Sequence, residues 1–85
     1  MWKLGEAKFL SKENVLILKG ENSLQLEAAA KMLRKPVFND KERKIGEIKE
    51  IFGPVKAPYF SVKPKHGSKP ENFVGKSLYS NAKKD

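Results

Sequence analysis

Cysteine is absent from this chain of 85 residues. Its absence excludes a disulfide framework, a thiolate metal site and a thiol nucleophile. The core alone, or the core together with a partner, must therefore stabilise the fold, and we expect an intracellular protein. Long apolar runs are also missing, since none approaches the roughly 20 residues that a membrane-spanning helix needs. The first residues, 1–6, lack the apolar stretch of a secretion signal.

Histidine is scarce as well. The single one, His66, stands between Lys65 and Gly67 in a polar stretch, where an exposed loop residue is a better interpretation than a catalytic base. No spacing of His, Cys or Asp indicates a metal site. The stretch 53–56 lacks the glycine spacing and the Gly-Lys-Ser/Thr ending of a phosphate-binding loop. We therefore expect no catalytic residue, no cofactor and no metal.

Arginine is rare in a strongly basic chain. The net charge is +8, and 16 of the 18 basic side chains are lysines. Such a charge favours nucleic acid or another anionic surface as a partner. Lysine is a hydrated point charge, however, whereas arginine supplies the planar group that reads bases and phosphates. Direct RNA contact and a merely solvated, lysine-rich surface both remain open.

Short apolar or alternating runs, separated by turn residues, predict about six β-strands. They cover residues 2–9, 15–18, 37–38, 44–52, 59–63 and 73–79. Many short strands with frequent turns in a small chain predict an all-β fold that closes, or half closes, into a barrel. We expect one domain over residues 1–80 and a polar tail over 81–85.

The alanine-rich segment 24–35 has two possible structures. Its propensity predicts a helical turn or two, in which Leu26, Ala30 and Leu33 share one face. An irregular loop is the alternative. Pro36 ends any helix at the preceding residue.

Residues 44–52 are also ambiguous. Ile45, Ile48 and Ile51 have the spacing of an amphipathic helix, but Gly46 interrupts it. The alternative is a strand in which a β-bulge between Ile48 and Ile51 reverses the side-chain alternation. We favour the strand because both neighbouring segments are strands.

The run 51–61 places a glycine, two prolines and three aromatic residues between two apolar segments. Gly53 is free to take a positive φ, and Pro54 and Pro58 each fix their own φ. A loop this stiff loses little entropy when a partner binds, so we predict a docking surface. A tight barrel corner without a partner is the alternative. The predicted docking residues are Ile51, Phe52, Gly53, Pro54, Val55, Pro58 and Tyr59.

A basic loop over residues 64–70 follows the next strand. It could add an electrostatic contribution toward RNA, although a flexible solvated loop is the simpler interpretation. The residues predicted to lie near RNA are Lys56, Lys63, Lys65 and Lys69.

Three stretches, 43–46, 51–55 and 58–64, together resemble the archaeal GAR protein of H/ACA ribonucleoprotein particles. Leu4-Gly5 and the stretch 74–79 are also similar to that family. Segment 24–35 departs from the family pattern. The chain has no glycine/arginine-rich tails, which mark the eukaryotic members.

The resemblance implies a six-stranded barrel of the translation-factor type and a non-catalytic role. Members bind the catalytic subunit of the pseudouridine synthase in a particle that isomerises rRNA uridines chosen by a guide RNA. They are thought to act on the synthase's thumb loop during substrate loading and product release. The corner 51–59 would then be the docking surface, with weak or indirect RNA contact. The alternative is a small basic barrel that binds RNA directly.

The resemblance also sets expectations about context. We expect a monomer outside the complex and no membrane partner. The protein would lie in the cytoplasm of an archaeon or in the nucleolus of a eukaryote.

Overall fold

Six antiparallel strands close into a barrel in the computed structural model, which describes residues 1–21, 29–54 and 57–81. The order of strands around the barrel is β1-β2-β5-β4-β3-β6. The strands are β1 (Trp2–Leu10), β2 (Leu16–Gly20), β3 (Pro36–Phe38), β4 (Lys44–Phe52), β5 (Tyr59–Pro64) and β6 (Ser77–Ser80). The all-β barrel expected from the sequence is confirmed.

The barrel interior is filled by alternate residues of each strand, because successive side chains of a strand point to opposite faces. On β5, Phe60 and Val62 point inward and lie opposite Leu18 and Leu16 of β2. The buried core consists of Leu4, Ala7, Leu16, Leu18, Ala29, Met32, Val37, Ile45, Ile48, Phe60, Val62 and Leu78.

β-Bulges let the two long strands curve around this small core. On β4, Ile48 pairs with Val62 while Glu50 pairs with the preceding residue, Ser61, so Lys49 is the extra residue. The shift reverses the alternation, and Ile51 packs against the core from the same side as Ile48. The strand with a bulge predicted for residues 44–52 is therefore correct, and the helix is not. β1 bulges twice, between Lys3 and Gly5 and between Ala7 and Phe9.

The last predicted strand, 73–79, is wrong in its first half. Residues Pro70–Phe73 form a 3-10 helix with a proline in its first turn, and β6 begins only at Ser77. Pro70 favours that start because its φ is already near the helical value and it has no N–H to leave unpaired. Val74 is consequently exposed. The second strand likewise lies at Leu16–Gly20 instead of 15–18, and Ile17 is only half buried.

The alanine-rich segment is described only from Ala29 onward. Ala29 and Ala30 have helical backbone, and turn residues continue to Arg34 before β3 begins. The predicted apolar face is wrong for Ala30 and Leu33, which are exposed, because the turn directs Ala29 and Met32 into the core instead. The prediction for Leu26, like the tail after Asn81, lies outside the described residues. No helix in the described part of the chain is long and apolar enough to cross a membrane.

Candidate docking corner and nucleic-acid interface

The end of the β4–β5 hairpin carries an exposed aromatic corner. Phe52, the last residue of β4, is 45% exposed, and its ring stacks on that of Tyr59, its cross-strand partner, with centroids 5.8 Å apart and planes inclined by 19°. Gly53 and Pro54 follow Phe52 at the surface. Ile51 faces the other way and packs against the core. The corner therefore presents to solvent an apolar ring that is stacked on its cross-strand neighbour.

Gly53 allows the chain to turn at this point. Its φ is +97°, which the sequence allowed, and a Cβ here would lie 2.9 Å from Cδ1 of Tyr59. Only glycine accepts both the backbone conformation and the close ring without strain. The turn is closed by a hydrogen bond that the Ala57 N–H donates to the Pro54 carbonyl, at 3.3 Å.

Pro58 occupies a different place from the one that the sequence predicted. It is among the most deeply buried side chains, so its ring has no surface to offer to a partner. Its carbonyl accepts a 2.8 Å hydrogen bond from the Gly20 N–H of β2. Pro58 thus supports the corner from inside, next to Tyr59. Val55 lies outside the described residues.

At the opposite end of β4, the turn between β3 and β4 is organised by one amide side chain. The Asn39 Oδ1 accepts hydrogen bonds from the backbone N–H groups of Lys41, at 2.9 Å, and Arg43, at 3.0 Å. The Asn39 N–H donates to the Arg43 carbonyl at 3.0 Å. Such Asx contacts are the reason that asparagine is favoured in turns. These hydrogen bonds of Asn39 therefore hold the conformation of the turn 39–43.

A basic groove lies on one side of this turn, between the start of β4 and the loop after β5. Its volume is about 460 Å³, and its lining residues are Arg43, Lys44, Lys65, His66, Gly67 and Ser68. The loop is held to β4 by the Lys65 N–H, which donates to the Ile45 carbonyl at 2.7 Å. Both the N–H and the hydroxyl of Ser68 donate to the Lys65 carbonyl. The loop that we expected to be flexible is thus internally bonded.

The structure divides the lysines predicted to lie near RNA. Lys65 lines the groove, whereas Lys63 and Lys69 are exposed beside it without lining it, and Lys56 lies outside the described residues. The sequence prediction missed Arg43 and Lys44. One signal was available, because Arg43 is one of only two arginines and stands directly before a strand.

The described residues contain no group of three or more His, Asp or Glu side chains that could hold a metal ion. His66 is exposed in its loop, as expected.

An exposed aromatic corner and a basic groove on a closed barrel are surface features typical of small domains that bind other macromolecules. Comparison with known proteins gives the family. The model of a family described as the Gar1/Naf1 RNA binding region matches residues 3–84. An uncharacterized protein of Methanothermobacter thermautotrophicus is 35% identical over 82 residues, which cover 93% of this chain and 82% of that relative. This chain belongs to the Gar1/Naf1 family, and its resemblance to the H/ACA GAR protein is confirmed.

Membership of this family makes the chain an H/ACA-associated RNA-binding protein of an accessory family that is not known to be catalytic.

Proposed function

We propose that this protein is a non-catalytic accessory subunit that binds the pseudouridine synthase of the H/ACA particle through the β4–β5 corner. The observation that supports this function is the exposed Phe52 ring, which is fixed in place by its stacking on Tyr59. A small number of side chains contributes most of the binding free energy of a typical interface. Well-packed aromatic residues are frequent among them. The synthase would supply the chemistry.

Ordering a side chain on association costs free energy. In the free protein the Phe52 ring is already stacked on Tyr59, and Gly53 already has its positive φ. An apolar ring that is exposed in the free protein would leave water on docking, and its truncation should cost about 2 kcal/mol or more at the centre of an interface.

Modulation of the synthase's thumb loop is the second part of the proposal. A bound subunit shifts an equilibrium between two loop positions only if it contacts them with different free energies. We propose that the docked barrel contacts the thumb loop differently in its two positions and so shifts the equilibrium that governs substrate RNA loading and product release. Its effect should therefore fall on turnover more than on the isomerisation step.

Calorimetric titration of the synthase catalytic subunit with this protein, without RNA, tests the docking. Phe52→Ala should weaken the affinity at least tenfold. Phe9→Ala is the matched control, because Phe9 is also an exposed phenylalanine, 54% exposed, but lies on β1, which pairs with neither β4 nor β5. Unchanged affinity in Phe52→Ala, or an equal loss in both variants, would contradict docking at the corner.

The thumb-loop role needs a kinetic experiment on the assembled particle. Pseudouridine formation should be compared under single-turnover and multiple-turnover conditions with and without a saturating amount of this protein. We expect the multiple-turnover rate to differ more than the single-turnover rate. Equal effects on both rates would contradict the proposed action on the thumb loop. They would not contradict docking at the corner.

A further inference from the structure

Of the concavities that border the turn 39–43, the two that carry basic side chains lie toward its opposite ends, and a third, lined by Met1, Asp40, Glu42 and Tyr79, carries two carboxylates. Arg43, at the end of the turn, lines the basic groove described above. The second concavity has a volume of about 440 Å³ and lies between the start of the turn and β6. From the turn it is lined by Asn39, Asp40 and Lys41. The Asn39 side chain links the two concavities, because its Oδ1 accepts hydrogen bonds from Lys41, which lines one, and from Arg43, which lines the other.

The basic groove has the charge of a phosphate site. No acidic side chain lines it, although the chain as a whole contains ten. The Lys44 ammonium lies 3.5 Å from the Glu47 carboxylate, but both side chains are about half exposed, and such surface pairs are weak. Lys44 therefore remains available for a phosphate, together with Arg43 and Lys65. Arginine also binds phosphate oxygens with two parallel hydrogen bonds.

The second concavity has the composition of a base site. Phe73 and Tyr79, both partly exposed, contribute aromatic rings, and Lys41 and Lys76 contribute exposed cations. Proteins bind unpaired bases by stacking them on aromatic side chains beside a positively charged track. Asp40 and Asn39 also line this concavity. It is polar enough for a base edge and wide enough for one nucleotide, within the volume range of small-molecule sites.

We propose that a single-stranded RNA segment binds across the turn 39–43, with one base against Tyr79 in the aromatic concavity and its backbone phosphates in the basic groove. Duplex RNA fits less well, because its bases are stacked and paired and cannot enter the concavity. The family match to an RNA-binding region gives the ligand class but assigns no residues. The residues that line the two concavities supply the proposed assignment.

The site is separate from the docking corner. The groove lies where β4 begins, at Lys44, and the corner lies where it ends, at Phe52. Nine strand residues rise about 3.3 Å each, so the two ends are roughly 25 Å apart. RNA and a protein partner could therefore bind at the same time, and the proposal does not depend on docking at the corner.

Fluorescence anisotropy of a short, labelled, unstructured RNA with the full-length protein tests the phosphate groove. Arg43→Ala combined with Lys65→Ala should weaken binding about tenfold and lower the salt dependence of log K by about 1.4, or 0.7 for each lost phosphate contact. Lys31→Ala combined with Lys49→Ala is the matched control, because it removes the same charge from two exposed residues that do not line either concavity. Equal losses of RNA affinity in the two double variants would contradict phosphate binding in the basic groove.

The two tyrosines of the chain provide a crossed test of the base site. Tyr79→Leu removes the proposed stacking ring and should weaken RNA binding about tenfold, with synthase binding retained. Tyr59→Leu should do the opposite. RNA affinity that is unchanged in Tyr79→Leu, with the variant folded, would overturn the base site without bearing on the corner.

A measurement on the unaltered protein avoids any effect of the substitutions on folding. Amide chemical shifts recorded during titration with the same RNA should change at residues 39–44, 65–68 and 76–79. Changes confined to other residues, or scattered evenly over all lysine-bearing surfaces, would contradict the proposal.

Discussion

The ring of Tyr59 lies between two neighbours that constrain it, since it stacks on Phe52 and stands 2.9 Å from the position that a Cβ at Gly53 would occupy. The cross-strand pair and the turn are thus interlocked. A change in the turn backbone displaces the ring, and a displaced ring no longer supports Phe52. The conformation of the corner can therefore be tested by substitution at the glycine.

Gly53→Ala should destabilise the protein more than Gly67→Ala. Both glycines have a positive φ, +97° and +87°, and an L-residue there costs about 1 kcal/mol. A Cβ at Gly67 would meet no atom within 4 Å, whereas one at Gly53 must move the Tyr59 ring. We expect about 1 kcal/mol for Gly67→Ala and about 2–3 kcal/mol for Gly53→Ala. Urea denaturation measures both, and equal losses would show that the ring yields without cost.

Pro58→Ala should lower the stability, whereas Pro54→Ala should change it little. Pro58 is fully buried between β2 and the corner, and Pro54 is exposed. Loss of the buried ring leaves a small cavity and a freer unfolded chain, at a combined cost of about 1–3 kcal/mol. For a domain of this size that corresponds to a fall of roughly 5–20 °C in melting temperature. Thermal denaturation of the two variants measures the difference. Similar melting temperatures would show that packing of the Pro58 ring does not stabilise the protein.

Local patterns in the sequence were sufficient for the strands of the barrel and for the turn at Gly53 and Pro54. The spacing of Ile48 and Ile51 fits either a helix or a strand with a bulge between them, and the neighbouring strands favoured the strand, in which Lys49 is the extra residue. The sequence allowed a positive φ at Gly53 because glycine lacks a Cβ, and the structure has it there. Both features depend on neighbours along the chain.

Features that depend on contacts between distant parts of the chain could not be predicted from local sequence patterns. Arg43 and Lys65 are far apart in sequence and meet only because β4 and β5 pair along their length. The burial of Pro58 depends on the packing of β2, to which its carbonyl is bonded. The boundary of β6 was missed because Val74 continues the apolar pattern although it lies in a turn at the surface.

Asn39→Ala should destabilise the protein, whereas Ser61→Ala should not. The Asn39 side chain accepts two backbone hydrogen bonds, and their loss should cost about 1–2 kcal/mol. The Ser61 hydroxyl is buried and makes no hydrogen bond within the described residues. Replacing an unsatisfied buried hydroxyl by a methyl group is nearly neutral or stabilising. Denaturation curves compare the two, and a substantial loss in Ser61→Ala would indicate an interaction of that hydroxyl.

The turn variant should also weaken RNA binding, because the turn positions both concavities. We expect Asn39→Ala to reduce RNA affinity although it removes no charge. RNA affinity equal to that of the unaltered protein would show that the turn need not be fixed for binding.

Glu6 should titrate below the usual range of a glutamate, and Lys8 should be the main cause. The Lys8 ammonium lies 2.6 Å from the Glu6 carboxylate, and this hydrogen bond and charge lower the pKa of Glu6, with a smaller contribution from Lys3. Lys8→Gln should therefore raise the pKa of Glu6 toward its usual value, and Lys3→Gln should raise it less. NMR titration of the side-chain carboxyl carbon measures both.

The lowered pKa of Glu6 also fixes the direction of its pH effect on folding. A carboxyl group with a lower pKa in the folded state stabilises the fold above its unfolded pKa, and that contribution is lost as the pH falls through the folded value. Because both side chains are largely exposed, the contribution should be small and should weaken further with salt. We expect the melting temperatures of Lys8→Gln and the unaltered protein to converge at low pH. A difference that persists below the folded pKa of Glu6 would assign the effect of Lys8 to packing and not to charge.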